Sequence, residues 1–422
     1  MKKKLVAGML ATAMVASVFT GCGKKDDEKS TSAENKTSVE VTADDKGEIK
    51  LWVADNTVDF TKAQVDKFLE ANPNYKGFSV TIEAVGEGDA ATNMITDVTA
   101  GADIYGFAQD QLARLVSAGA IAPVNASADW IKENNDAGAA GAATIGGTTY
   151  AFPLTSDNGY FLYYDKSVIS DPSTLEGILA DCEKAGKGYY MEINSGWYDT
   201  AFFFATGCKL EYGIDSEGKL NSSNITYASD EGVAAMKAMI NLHKSKAFYN
   251  GSAVGNAANA AAVVSGTWDS GAAQDMFGAN YACAKLPTFN VDGKDYQMSG
   301  FGGFKLLGIK PQTDSKKFIV CQDLAKFLSN EETQLARFEA VGWGPSNKAA
   351  QQSDKVKADP ALSALAEQLA FTIPQGQYPN EYWDLAKGLG DSIIAGDYDS
   401  ASDDDLKKAL QDFQTTCESY AK

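Results

Sequence analysis

Ile49-Lys50-Leu51-Trp52-Val53 is the stretch that says most about the fold, because it is a short and nearly continuous apolar run. A run of this kind is typical of a strand that is buried inside a parallel sheet. The residues after it predict a helix that starts at Asp59 or Thr61 and reaches Asn72, where Pro73 ends it. A buried strand followed at once by a helix indicates an α/β unit.

The same alternation continues on the C-terminal side of this unit. The sequence predicts further strands at residues 78–84, 103–105, 160–164, 189–193, 261–265 and 281–286. It predicts intervening helices at residues 89–100, 111–117, 173–185 and 230–246, and a helical C-terminal portion from residue 314 onward. Alternating strands and helices indicate a parallel α/β sheet. The chain from Glu48 to Lys422 is too long for one ordinary core, so we expect two or three folding units.

The residues before the first strand indicate export and attachment to a membrane. Three lysines at positions 2–4 and an apolar run over residues 5–19 make a signal peptide, predicted at residues 1–21. The ending Gly21-Cys22 is similar to the lipobox of bacterial lipoproteins, in which the cysteine carries a diacylglycerol. We therefore expect residues 22–47 to be a lipidated Cys22 and a disordered spacer, with an ordinary secretion signal as the alternative.

Composition excludes several kinds of chemistry and partner. The formal charge is −19, which argues against nucleic acid or an anionic lipid surface as a partner. His243 is the sole histidine, so the chain has few of the side chains that a zinc site or histidine-based nucleophilic catalysis needs. The cysteines after Cys22 are widely spaced, which favours free thiols over a single Cys182–Cys208 bridge. Gly86-Glu87-Gly88 lacks the full spacing of a phosphate-binding loop, and we predict no cofactor and no metal.

Several short motifs follow one another along the mature chain. They are Leu51-Trp52-Val53, Gly101-Ala102-Asp103-Ile104, Phe107-Ala108-Gln109-Asp110, Tyr150-Ala151-Phe152-Pro153-Leu154, Tyr163-Tyr164-Asp165-Lys166, Val264-Ser265-Gly266-Thr267-Trp268, Leu286-Pro287-Thr288-Phe289, and Thr372-Ile373-Pro374-Gln375 with Trp383. In this order they resemble the maltose/maltodextrin-binding branch of the ABC-transporter solute-binding proteins.

The resemblance implies a fold of two α/β lobes, joined by a hinge, with the ligand in the cleft between them and a helical C-terminal portion. Carried over to this chain, lobe 1 comprises residues 48–156 plus 301–350, and lobe 2 comprises residues 157–300 plus 351–422. Proteins of this class close around their ligands by bending at the hinge.

The resemblance also implies which side chains hold the ligand. Sugars present apolar faces and hydroxyl rims, so their sites combine aromatic rings with carboxylates and amides. We predict Trp197, Trp268 and Trp383 as stacking residues and Asp110 as a hydroxyl-binding carboxylate. The remaining candidates are Phe107, Asp269, Tyr198, Asp157, Asn158 and Asp55. The chain departs from the family pattern at Ser195, which replaces a carboxylate, at Phe107, which replaces a tryptophan, and at Gln111, which replaces an arginine.

The resulting expectation is a monomeric, lipid-anchored binding protein that is not an enzyme. It captures maltodextrin-type oligosaccharides on the extracytoplasmic face of a bacterial cell membrane and delivers them to the permease subunits of an ABC importer. One alternative keeps the role and changes the sugar to a xylose-based or another β-linked oligosaccharide. A secreted glycoside hydrolase and a lipoprotein adhesin are the alternatives from other classes, and hydrolysis products or a tightly bound protein partner would identify them.

Overall fold

The computed structural model describes residues 39–421, and the predicted signal peptide and Cys22 lie outside them. The first half of the fold comprises β1 (Gly47–Val53), α1 (Val58–Ala71), β2 (Phe78–Ala84), α2 (Ala90–Thr96), β3 (Ile104–Ala108), α3 (Leu112–Ser117), α4 (Ala128–Asn134), α5 (Ala137–Ala142), β4 (Thr144–Ile145), β5 (Thr148–Thr149) and β6 (Ala151–Asn158). These elements confirm the strand and helix order predicted for residues 49–117.

The middle of the chain forms a second set of elements. They are β7 (Phe161–Asp165), α6 (Leu175–Ala185), β8 (Gly188–Tyr190), α7 (Thr200–Thr206), β9 (Leu210–Ile214), β10 (Leu220–Ile225), α8 (Asp230–His243), β11 (Phe248–Tyr249), β12 (Ala260–Ser265), α9 (Ser270–Phe277), β13 (Tyr281–Ala284), β14 (Thr288–Val291) and β15 (Lys294–Gln297).

The C-terminal part is mainly helical, as predicted. It comprises β16 (Phe301–Ile309), α10 (Ser315–Leu328), α11 (Glu331–Val341), α12 (Asp354–Lys357), α13 (Pro360–Leu369), β17 (Ile373–Pro374), α14 (Asn380–Ile394) and α15 (Asp403–Ser419). Ser402 and Asp405 form a capping box at the start of α15, which satisfies backbone donors of its first turn.

Two sheets divide the fold into two lobes. The first has the strand order β17-β16-β3-β1-β2, with β6 also paired to β16, and the second has the order β11-β8-β12-β7-β13. Strands β1, β2 and β3 run parallel, as the sequence predicted. The sheets are mixed and not parallel throughout, because β16 runs antiparallel to β3 and β6, and β7 runs antiparallel to β12 and β13.

Each sheet has its own apolar cores. The cores of the first sheet draw on residues 41–154 and 304–328, and those of the second on residues 160–301 and 361–417. Val41 is buried in the first of these, and Asp45 forms an ion pair with Lys316 on α10 at 2.7 Å. The predicted spacer therefore ends before residue 47, because an apolar side chain and a carboxylate of this segment find partners on lobe 1.

Two further features bear on location and chemistry. In the part of the chain that the structure describes, no helix has both the length and the apolar character needed to cross a membrane. The thiols of Cys182, Cys208, Cys283, Cys321 and Cys417 are all free, which decides between the two alternatives left by their spacing.

Candidate functional site

A cavity of about 750 Å³ lies between the two sheets, and this volume suits a small-molecule ligand. It is lined by Ala54, Asp55, Asn56, Gly86, Glu87, Gly88, Ala108, Asp110, Gln111, Asn158, Trp197, Tyr198, Trp268, Asp269, Lys305, Trp343, Gln375 and Trp383. The lining combines four tryptophans with carboxylates, amides and one ammonium, which is the mixture that sugar hydroxyls and ring faces require.

The polar wall of this cavity is built from strand ends. Asp55 follows β1, Glu87 follows β2, and Asp110 follows β3, and these three strands are adjacent and parallel. The carboxyl ends of parallel strands meet at one edge of a sheet, which brings loops far apart in sequence to one place. Gln111 ties two of these loops together, since its amide donates to the carbonyl oxygen of Gly88 at 2.8 Å.

Trp197 forms the aromatic platform of the opposite wall. It lies in the loop between β8 and α7, and its ring packs edge-on against Tyr160 at 4.7 Å and against Tyr198 at 4.9 Å. The hydroxyl groups of Tyr160 and Thr200 donate to its carbonyl oxygen at 3.1 and 2.6 Å. These contacts fix both the ring and the backbone, so the platform is formed before any ligand arrives.

Trp268 extends the platform from the turn after β12. Its ring centroid lies 5.8 Å from that of Trp197, at an interplanar angle of 46°. A Cβ atom at Gly266 would lie 2.1 Å from the Trp268 ring, so the absence of a side chain lets the ring lie across the backbone. The neighbouring Asp269 accepts hydrogen bonds from Ser265 at 2.7 Å and from the Val254 amide at 3.1 Å, which anchors this turn to its own lobe.

Gln375 links the two walls of the cavity. Its side-chain oxygen accepts from Asn158 and from the Trp197 indole, each at 3.4 Å. Its backbone carbonyl accepts from the Gln109 side-chain amide at 2.5 Å. The Gln377 side chain donates to the Gln109 carbonyl oxygen and accepts from the Ala113 backbone N–H of α3, each at 2.8 Å. The loop after β17 therefore holds the Asp110 turn of lobe 1 and the Trp197 platform of lobe 2 in one polar network.

Asp110 is the carboxylate whose protonation the site alters most clearly. It is only 4% exposed, and burial raises the pKa of this carboxyl to about 7, against opposing effects of its own backbone N–H and of Arg114. Burial also raises the pKa of Glu87, with Lys305 the largest opposing influence. Near neutral pH, Asp110 thus carries less negative charge than an exposed aspartate would.

Asparagine in place of Asp110 is expected to gain stability relative to the wild type as the pH rises. The Asp110 carboxyl keeps its proton up to about pH 7 in the folded state but only to about pH 3.8 in the unfolded state. The wild type therefore loses stability as the pH rises between those two values. The variant has no such loss, and the difference between the two free energies of unfolding should grow by a few kcal/mol, on the order of 1.4 per pKa unit, between pH 4 and pH 8. Urea unfolding at both pH values measures it, and a constant difference would contradict the assignment.

Eight of the ten predicted ligand residues line the cavity. They are Trp197, Trp268, Trp383, Asp110, Asp269, Tyr198, Asn158 and Asp55. Phe107 and Asp157 do not. Phe107 is fully buried, because β3 is a central strand and its ring packs in the core beside Tyr105. Asp157 is also buried, with its carboxylate bonded to Thr267 and to the Gly344 amide.

Sequence reasoning missed Glu87, Lys305 and Gln375. A single lysine within the apolar strand Phe301–Ile309 was a signal, since an ammonium in a buried strand needs a reason. Gly86-Glu87-Gly88 directly follows a strand, which placed it at the ligand edge of the sheet. Gln375 gave no signal of its own. Within residues 39–421 no three His, Cys, Asp or Glu side chains form a group that could hold a metal ion.

The sequence and the fold are similar to those of known proteins. Residues 63–364 match the family model of the bacterial extracellular solute-binding proteins. A galactooligosaccharide-binding protein of Bacillus subtilis (strain 168) is 25% identical over 319 residues, which are 71% of this chain and 73% of the relative.

Two solved structures extend the likeness to the whole fold. One, in complex with acarbose, is 28% identical with a TM-score of 0.79, covering 90% of this chain and all of that one. The other is the maltodextrin-binding protein MalE1 of L. casei BL23 without ligand, which is 27% identical with a TM-score of 0.72, over 88% of this chain and 99% of that one.

Proposed function

Because the chain belongs to the bacterial extracellular solute-binding proteins, we propose that it captures a maltodextrin-type oligosaccharide and delivers it to the permease subunits of an ABC importer. The observation that carries this proposal is the cavity in which Trp197, Trp268 and Trp383 face carboxylates and amides across the two lobes. The solved relatives in complex with acarbose and named for maltodextrin support an α-glucan.

The proposed site would act by binding alone, without breaking or forming a bond. Stacked rings and hydrogen bonds to charged groups each contribute about 1 kcal/mol or more. Several such contacts in one cleft give an affinity in the micromolar range, on the order of −8 kcal/mol. The volume of about 750 Å³ leaves room for more than one sugar ring.

Closure of the lobes would report that the site is loaded. We assign residues 48–156 plus 301–350 to lobe 1 and residues 157–300 plus 351–422 to lobe 2, a division that the separate apolar cores support. A ligand that contacts both lobes favours the closed state, because it gains contacts there that the open state lacks. The permease would then distinguish loaded from empty protein by shape.

The family is extracellular, and we propose that this member acts as a monomer tethered to the membrane. The signal peptide at residues 1–21, lipidation at Cys22 and the polar residues after it support this. The tether would keep the binding protein within reach of its permease.

A second candidate is a β-linked oligosaccharide in the same transport role. The galactooligosaccharide-binding relative favours it, and so does Ser195, which stands where the maltodextrin pattern has a carboxylate. In this alternative the aromatic platform is the same, and the polar contacts that distinguish one glycosidic linkage from another are different.

Isothermal titration calorimetry on residues 23–422 tests both candidates. Maltotriose and maltohexaose should bind with a micromolar or lower dissociation constant, and xylohexaose and a β-galactooligosaccharide should produce no heat. Heat from a β-linked sugar alone would select the second candidate. Silence with all four sugars would overturn the oligosaccharide proposal.

A further inference from the structure

Resting on the proposed function, we propose that Lys305 is a ligand-binding residue. Its ammonium donates hydrogen bonds to hydroxyl oxygens of the sugar ring that occupies the cavity beside Trp268 and Trp343. This assignment adds a charged donor to a site whose predicted polar residues are carboxylates and one amide, and it locates one ring of the ligand.

The position of Lys305 is the first observation. It lies on β16, which pairs on one side with β3 and on the other with β6, so its backbone is in the middle of the sheet. The residue is only 4% exposed, and that exposure is toward the cavity. Its Nζ atom lies 3.7 Å from the ring centroid of Trp343 and 5.0 Å from that of Trp268. The ammonium is therefore held between two rings at the floor of the cavity.

The absence of a counter-ion is the second observation. Among the described residues, no carboxylate lies within ion-pair distance (4.0 Å) of Lys305, although twelve other ion pairs form. A buried ammonium that lacks hydrogen-bond acceptors costs free energy, and contact with aromatic rings offsets only part of that cost. An acceptor brought by the ligand would complete the arrangement.

The cavity lining around Lys305 indicates what kind of group fits. Lys305 supplies an ammonium donor, and Asp55, Glu87, Asp110 and Asp269 supply carboxyl groups to the same lining. Donors and acceptors thus border one space, and hydroxyl groups, which both donate and accept, match them. The carboxyl groups disfavour an anionic group.

Replacing Lys305 with methionine is expected to separate binding from stability. Methionine keeps an apolar stem against the two tryptophans and removes the charged donor. The dissociation constant for maltotriose, measured by calorimetry on residues 23–422, should rise about 10- to 100-fold. The melting temperature of the free protein should stay the same or rise, because the variant no longer buries an unpaired ammonium.

Lys326→Met is the matched control, since the Lys326 ammonium also lies over a tryptophan ring, that of Trp130, at 4.9 Å but outside the cavity. Its dissociation constant should equal that of the wild type. An unchanged dissociation constant in Lys305→Met, or an increase accompanied by a fall in the free protein's melting temperature, would overturn the assignment. If that variant fails to fold, Lys305→Arg keeps the charge and should bind within about tenfold of the wild type; loss of binding in the folded arginine variant also overturns it. Silence of the wild type itself would overturn the proposed function instead.

Discussion

Alanine in place of Trp268 is expected to raise the dissociation constant for maltotriose about 100-fold. The ring supplies an apolar face next to Trp197, and it covers the Lys305 ammonium from one side. Truncating a tryptophan at the centre of a binding site typically costs about 2 kcal/mol or more, and truncating this one would also remove a neighbour of the Trp197 ring. Calorimetry with the wild type and the variant under the same conditions measures the change.

Trp130→Ala provides the control for this experiment, because Trp130 is half-buried on lobe 1 and does not line the cavity. The same chemical change at that position should leave the dissociation constant within about twofold of the wild-type value. Equal losses of affinity in the two variants would mean that removing a tryptophan acts through folding. An unchanged dissociation constant in Trp268→Ala would mean that Trp268 does not contact the ligand.

The fold could be predicted from the sequence wherever local pattern and tertiary packing agree. The run over residues 49–53 became β1, and the helix predicted to reach Asn72 ends at Ala71. The sequence did not predict that β16 enters the sheet antiparallel. The segment from Phe161 to Gln297 lies between β6 and β16, so the direction of β16 depends on the path of this long segment. The residues 301–309 themselves contain no pattern that indicates this direction.

The candidate site was predictable where large aromatics follow strand ends, as at Trp197 and Trp268. The prediction differs from the lining of the cavity where a polar or aromatic residue packs in the core or bonds the backbone instead. Phe107 stands two residues before the Asp110 turn, yet a central strand covered on both faces leaves its side chain no route to the cavity. Lys305 was missed because its neighbours in β16 are apolar, which is typical of a strand buried in a core. Its position at the cavity depends on the pairing of β16 with β6, which the sequence did not indicate.

Asp157 is where the sequence-based prediction and the structure differ most, and alanine at this position is expected to destabilise the free protein strongly. The carboxylate accepts from the Thr267 hydroxyl and from the Gly344 amide, each at 2.5 Å. It is also the largest of the favourable charges acting on the buried Arg337, whose pKa burial lowers to about 10. Removing the carboxylate leaves the Thr267 hydroxyl and the Gly344 N–H without their acceptor and Arg337 without this favourable charge. The free energy of unfolding should therefore fall by about 3–5 kcal/mol. Urea unfolding without sugar measures the loss.

Asparagine at the same position separates a structural role from ligand binding. Its side-chain oxygen can still accept from Thr267 and Gly344, so Asp157→Asn should lose less than half as much stability as the alanine variant. Thr267 directly precedes Trp268, and Gly344 directly follows Trp343, so Asp157 holds the backbone that carries both rings. The folded asparagine variant should therefore keep a dissociation constant close to that of the wild type. Weakened binding with unchanged stability would instead return Asp157 to the ligand residues, because only direct contact with the sugar gives that pattern.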